Sequence, residues 1–181
     1  LSMVSRAVSP RSTLPVLGNV LLASDEGRLR LAATNLELGI SCWIGAQIGE
    51  EGSITVPARL LSDLVNTLPN DSVHLAVNMT TFTLSVNCGT SSTEIKGIDA
   101  QEFPPMPASD PAEGMKQKIS DFKEMIQQVA FAASTDEARP VLQGVQTLVN
   151  GNSISMAATD GFRISVRRTD LAEPVSKPLT M

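Results

Sequence analysis

The residues able to do chemistry in this chain are few and scattered. His74 is the single histidine, and the apolar residues around it alternate, so it reads as a structural strand residue rather than a general base. Cys42 and Cys88 are far apart and lack the spacing of a metal site. Both read as buried thiols, a usage that favours the cytoplasm. Asp160, in Ala158-Thr159-Asp160-Gly161, is the best carboxylate for acid–base work. An Asp-Gly pair after a strand is also the signature of a tight chain reversal, and that is the plainer reading. There is no GxGxxG, no Walker loop and no HExxH. The sequence therefore predicts no catalytic residue, no metal ligand and no cofactor.

The elements that must position these residues occur twice. Pro140, Val141, Leu142 and Val145 lie 125 positions after Pro15, Val16, Leu17 and Val20. Ala157, Ala158 and Thr159 stand in the same relation to Ala32, Ala33 and Thr34, with Asp160 over Asn35. The register extends back to Val129, Ala132 and Ser134 over Val4, Ala7 and Ser9. It extends forward to Leu179-Thr180-Met181 over Ile54-Thr55-Val56. Such a period is far longer than that of solenoid or propeller repeats. The copies look trimmed: the second stops where the first reaches Val56, and residues 116–125 have no counterpart after Leu1.

Each copy reads as an α+β module with two helices packed on antiparallel sheet. A helix from Ser120 to Ala133 carries Phe122, Met125, Ile126, Val129 and Ala133 on one stripe, and residues 2–8 form the tail of its first-copy equivalent. Strands follow over Val16–Ala23, Arg28–Ala33, Glu37–Ile44 and Ser53–Val56, and Asn150-Gly151 marks the second-copy hairpin. A second helix, Pro57 to Leu68, buries Leu60, Leu61, Leu64, Val65 and Leu68. Strands Val73–Val77, Phe82–Val86 and Thr93–Ile98 complete the first module. Breakers between Asp99 and Glu113 predict a linker, with domains at 1–104 and 116–181 around a 105–115 connection.

The bulk numbers fit a soluble globular protein: 181 residues, 42% hydrophobic, and a mean hydropathy of +0.07. No apolar run is long enough to span a bilayer, and no signal peptide opens the chain. A net charge of −5 argues against holding nucleic acid by charge alone. Repetition without catalytic groups points to a scaffold. An enzyme built on Asp160 or His74, and a peptide adaptor of duplicated modules, are the competing classes.

Several segments carry a resemblance to the bacterial sliding clamp family, the β subunit of DNA polymerase III. They are Pro15-Val16-Leu17-Gly18-Asn19-Val20, Thr34-Asn35-Leu36-Glu37, Val56-Pro57-Ala58-Arg59, Glu102-Phe103-Pro104, Arg139-Pro140-Val141-Leu142-Gln143-Gly144-Val145 and Ala158-Thr159-Asp160-Gly161-Phe162-Arg163. The resemblance implies a head-to-tail two-chain ring of three domains per chain, its hole lined by helices around duplex DNA. It implies sequence-independent DNA contacts from Arg11, Arg59, Lys123 and Arg139, and a subunit joint along the edge strand around Ile95. It also implies a pocket for short motifs of the replicative polymerase, the clamp loader and repair proteins. The matching wall is Leu142, Thr159, Gly161, Phe162, Arg163 and Ile164, with Phe162 where the family often has histidine. The counterparts Leu17, Leu36 and Gly39 are expected not to bind peptide. A third domain is missing, so this piece is not expected to close a ring by itself.

Overall fold

The computed structural model describes residues 1–9, 13–106 and 115–181. It resolves into two compact units, residues 1–108 and 109–181. Arg11, and most of the expected 105–115 connection, fall outside the described residues. Among the described residues, no helix is long and apolar enough to cross a membrane.

The first unit begins with a 3-10 turn, Val4–Ala7, where the tail of a helix was expected. A second such turn, Pro15–Gly18, takes the start of the anticipated strand, because the proline lacks the N–H that a ladder needs. Strands β1 (Asn19–Asp25), β2 (Arg28–Thr34), β3 (Gly39–Gly45) and β4 (Ser53–Pro57) form an antiparallel sheet in the order β3-β2-β1-β4. Helix α1 (Ala58–Thr67) leads to β5 (Val73–Asn78), β6 (Thr83–Cys88) and β7 (Ser91–Lys96), a three-stranded meander. One core joins Val20, Leu22, Leu31, Ala33, Ile54 and Val56 to Leu61 of α1 and to Leu84, Val86 and Ile95.

The second unit repeats the plan. Helix α2 (Ile119–Val129) continues as a 3-10 turn, Ala130–Ala132, and packs mainly on β9 (Ser153–Thr159) and β10 (Ile164–Asp170) of a sheet completed by β8 (Gln146–Asn150) and β11 (Leu179–Thr180). The sheet order, β10-β9-β8-β11, matches that of the first unit. The hairpin registers match too, since Leu21 faces Ala32 as Gln146 faces Ala157, and Gly39 faces Thr34 as Ile164 faces Thr159. The outer strand departs. Ile54 pairs with Leu22, whereas Leu179 pairs with Val149, two residues out of step with the 125-residue offset. A slip of two keeps every side chain on its own face, so the core tolerates it. β4 is pinned on its far side by the bridge from Thr55 to Ile98, while β11 is only two residues long.

Several expectations change on detail. On α1, Leu61 is buried and Leu64 and Leu68 pack on the core, but Leu60 and Val65 are exposed. Lys118, not Ser120, precedes α2, and the Ser120 hydroxyl instead donates to Asp121. His74 is exposed on β5, an edge strand most of whose residues face solvent. Cys88 is buried, Cys42 is half-buried, and both are free thiols. Ile95 is 2% exposed, so its side chain belongs to the core and only its backbone lies on the β7 edge. Residues 99–106 are not a free linker: Phe103 is buried against the sheet, an apolar anchor hidden among polar residues and prolines.

Candidate functional site

The turn from β9 to β10 shows how short polar residues fix a backbone. The Asp160 carboxylate accepts the N–H groups of Phe162 (2.9 Å) and Arg163 (3.0 Å). The Thr159 hydroxyl accepts the Gly161 N–H (3.1 Å) and donates to the Arg163 carbonyl (2.7 Å). Gly161 takes φ +91°, which glycine adopts at least cost. The first unit makes the same reversal. There Asn35 accepts the N–H groups of Glu37 (3.0 Å) and Leu38 (2.7 Å), and Thr34 accepts that of Leu36 (3.0 Å). Asp160 therefore has a local task, capping a turn with its side chain. The amides of Phe162 and then Arg163, reinforced by the Arg163 guanidinium, hold its carboxyl below the ordinary carboxylate range.

Arginines brace this turn. Arg163 contacts Asp160 at 2.9 Å, donates to the Phe131 carbonyl at 2.9 Å and lies 5.5 Å over the Phe131 ring. Arg139 donates to the Asp136 carboxylate at 3.0 Å and to the Asp160 carbonyl at 3.5 Å. The Ala138 N–H, followed by Arg139, depresses the Asp136 carboxyl in the same way. Arg139 thus arrives partly engaged, whereas Arg59 is almost fully exposed on α1, 3.8 Å from Asp63, and Lys123 is exposed on α2.

Beside the turn lies a groove of about 400 Å³. Leu142, Thr159 and Ile164 line it, three of the positions the resemblance implied, together with Val141, Gly144, Val145, Gln146, Ala157, Ala158 and Met181. The residues missed at the sequence level are Gln146, Ala157 and Ala158 on β8 and β9, and Val141, Gly144, Val145 and Met181 outside them. Gln146 and Ala157 are a cross-strand pair, and strand alternation was the signal that could have found them. Gly161, Phe162 and Arg163 border the groove on the turn without forming its floor. Three apolar side chains here stand largely in water: Val141 at 89%, Phe162 at 94% and Ile164 at 69% exposure. Such a surface offers apolar burial with a few orienting polar groups, which is a binding geometry rather than a reactive one. Among the described residues no cluster of His, Cys, Asp or Glu is arranged to hold a metal.

Comparison with known proteins matches both units. Residues 1–107 fit the family model of the DNA polymerase III beta subunit, N-terminal domain, and residues 116–179 that of its central domain. The beta sliding clamp of Synechococcus elongatus is 45% identical over 175 residues, covering 95% of this chain and 46% of that protein. The beta sliding clamp of a Synechocystis strain is 41% identical, covering 92% and 44%. The chain thus spans about half the length of the curated relatives it matches. Among solved structures, the DNA polymerase sliding clamp of Bacillus subtilis superimposes with a TM-score of 0.92 at 27% identity, over 99% of this chain and 49% of that one. The DNA polymerase III subunit beta of Pseudomonas aeruginosa does so at 0.85 and 31%, over 99% and 49%.

Proposed function

This chain belongs to the DNA polymerase III beta subunit family, and from that premise we propose that it forms the first two modules of a DNA sliding clamp. The clamp encircles duplex DNA and tethers the replicative polymerase, the clamp loader and repair proteins; it works in the cytoplasm and catalyses nothing itself. On this reading the modules span 1–104 and 116–181, joined by a 105–115 connection. The observation that carries this reading is the groove on the second unit, an apolar floor next to a rigid turn. Leu142 and Ile164 supply apolar contact, Gly161 lets a ligand backbone come close, and Thr159, Phe162 and Arg163 mark the rim.

Tethering by topology suits an acidic protein. Dense phosphate contacts would resist sliding, so a few cations are enough: Arg59 and Lys123 on the helices, Arg139 beside the turn, and Arg11 as the resemblance implies. The head-to-tail dimer would use the open backbone edge of β7 around Ile95, whose flanking Glu94 and Lys96 are exposed. A titration of the ¹⁵N-labelled chain with a synthetic peptide bearing Gln, Leu and Phe tests the groove. Leu142, Gly161 and Ile164 should shift first. Absence of any response at millimolar peptide overturns the assignment.

A further inference from the structure

The first-unit face that corresponds to the groove is covered. Val16, Leu17, Leu21 and Ala32 stand 125 positions before the groove residues Val141, Leu142, Gln146 and Ala157. Val16 is only 6% exposed and Leu17 only 2%. The covering residue is Phe103, which forms one buried cluster with those four, flanked by Ala100 and Met106. The chain's own segment therefore sits where the other copy presents an open floor.

That segment is built like a docked peptide. Ile98 and Thr55 exchange backbone hydrogen bonds of 2.8 and 3.0 Å, which anchors its start. Asp99 then accepts the Gln101 N–H (2.9 Å) and caps a 3-10 turn, Ala100–Glu102. Phe103 is extended (φ −73°, ψ 130°), as a residue before proline must be. Pro104 and Pro105 have no N–H to give, and among the described residues no hydrogen bond ties 104–106 to the sheet. Side-chain packing alone seats this end. Met106 closes it: its Cε and Sδ lie 2.6 and 2.9 Å from where a Cβ on Gly39 would be. In the second copy that position is Ile164, a full side chain on the groove. A cleft of about 210 Å³ remains beside the strap, lined by Thr34, Gly39, Pro104 and Met106 among others.

We propose that the first unit holds a second apolar-peptide site, kept occupied by its own Phe103–Met106 strap. The external ligand it would take is a short extended peptide presenting an aromatic residue followed by prolines and a thioether, the chemistry of the strap itself. Such peptides dock on apolar floors in a pre-organised extended form. The inference rests on reading the second-unit groove as a peptide site. A tethered occupant keeps the site closed because the apparent dissociation constant is the intrinsic one divided by the open fraction.

The probe is a synthetic peptide of residues Gln101–Met106, titrated into the ¹⁵N-labelled chain. In the wild type, Leu142, Thr159 and Ile164 should shift, while Leu17, Ala32 and Thr34 respond at least about tenfold more weakly. In Phe103→Ser, and in Phe103→Ser with Met106→Ser, the three first-unit signals should respond within about tenfold of the second-unit ones. Phe103→Ser is the milder variant, since it leaves Met106 beside Gly39 and empties only the floor that the peptide's own Phe would refill. Folded variants whose Leu17, Ala32 and Thr34 stay silent overturn the proposal. So does loss of the first-unit fold in both, which would make the strap core rather than occupant. A silent second unit with a responding first would sink the groove assignment alone.

Discussion

Replacing Ile164 by alanine separates binding from folding. Ile164 is 69% exposed, so it contributes little to the core in the free protein. A ligand seated on the floor would withdraw on the order of 100 Å² of this side chain from water, worth about 2.5 kcal/mol at ~25 cal/mol per Å². Alanine retains only the β-carbon, so roughly 1.5 kcal/mol of that is lost and binding weakens about tenfold. Folding should change by no more than about 0.5 kcal/mol, the usual range for an exposed position. Leu142→Ala is the contrast: the residue is half-buried, so its truncation should lower both affinity and melting temperature. Fluorescence anisotropy with a labelled Gln/Leu/Phe peptide, alongside thermal unfolding, reads both quantities. The reasoning is refuted if Ile164→Ala binds as the wild type does, or if its binding falls only as its stability falls.

Three other outcomes are open to measurement. Linear duplex DNA should bind weakly with a steep loss in salt, and Arg59→Ala should weaken it equally for unrelated sequences; strong preference for one sequence in a filter-binding series would contradict this. The Asp160 carboxyl is lowered, so what it adds to the turn is fully present above the ordinary value of about 3.9 and is lost as pH falls through its lower folded value. The Phe162 and Arg163 amide signals should therefore hold steady down to about pH 4 and move only below it, and Asp160→Asn should abolish that transition. Gly97→Ala would place a Cβ 2.4 Å from the Thr55 carbonyl oxygen and 2.8 Å from the Ile54 side chain. Neither can yield, so chemical denaturation should show a loss of about 1–3 kcal/mol.

The repeat was the most legible feature of the sequence because side-chain alternation and turn chemistry leave a local record. Thr34-Asn35 and Thr159-Asp160 build one turn through one set of hydrogen bonds, and the residue types alone announced it. The strap was illegible for the opposite reason. Its composition between Asp99 and Met106 is that of a loop, and burial of Phe103 depends on a surface roughly seventy to ninety residues earlier in the chain. Burial along α1 was also overstated: spacing placed Leu60 and Val65 on the apolar stripe, but the sheet beneath covers a narrower face. Leu142, Thr159 and Ile164 were placed on the groove by the family resemblance, while Gln146 and Ala157 needed the cross-strand register.

Two copies with one backbone reach different surfaces through a handful of positions. Leu21 becomes Gln146, so the floor that Phe103 caps in one unit carries an amide in the other. Gly39 becomes Ile164, which fills with a branched side chain the space Met106 uses. Leu36, at φ +76°, becomes Gly161, which relieves an L-residue of a conformation it adopts rarely and removes a side chain from the rim. Each exchange acts in the same direction: the first copy's floor is closed by its own chain and the second copy's floor is left open. The turn bonds that both share are indifferent to this choice, because they run within the loop and leave the sheet face untouched. Specialisation of this repeat therefore lies in the side chains facing the groove, and the backbone that presents them is common to both.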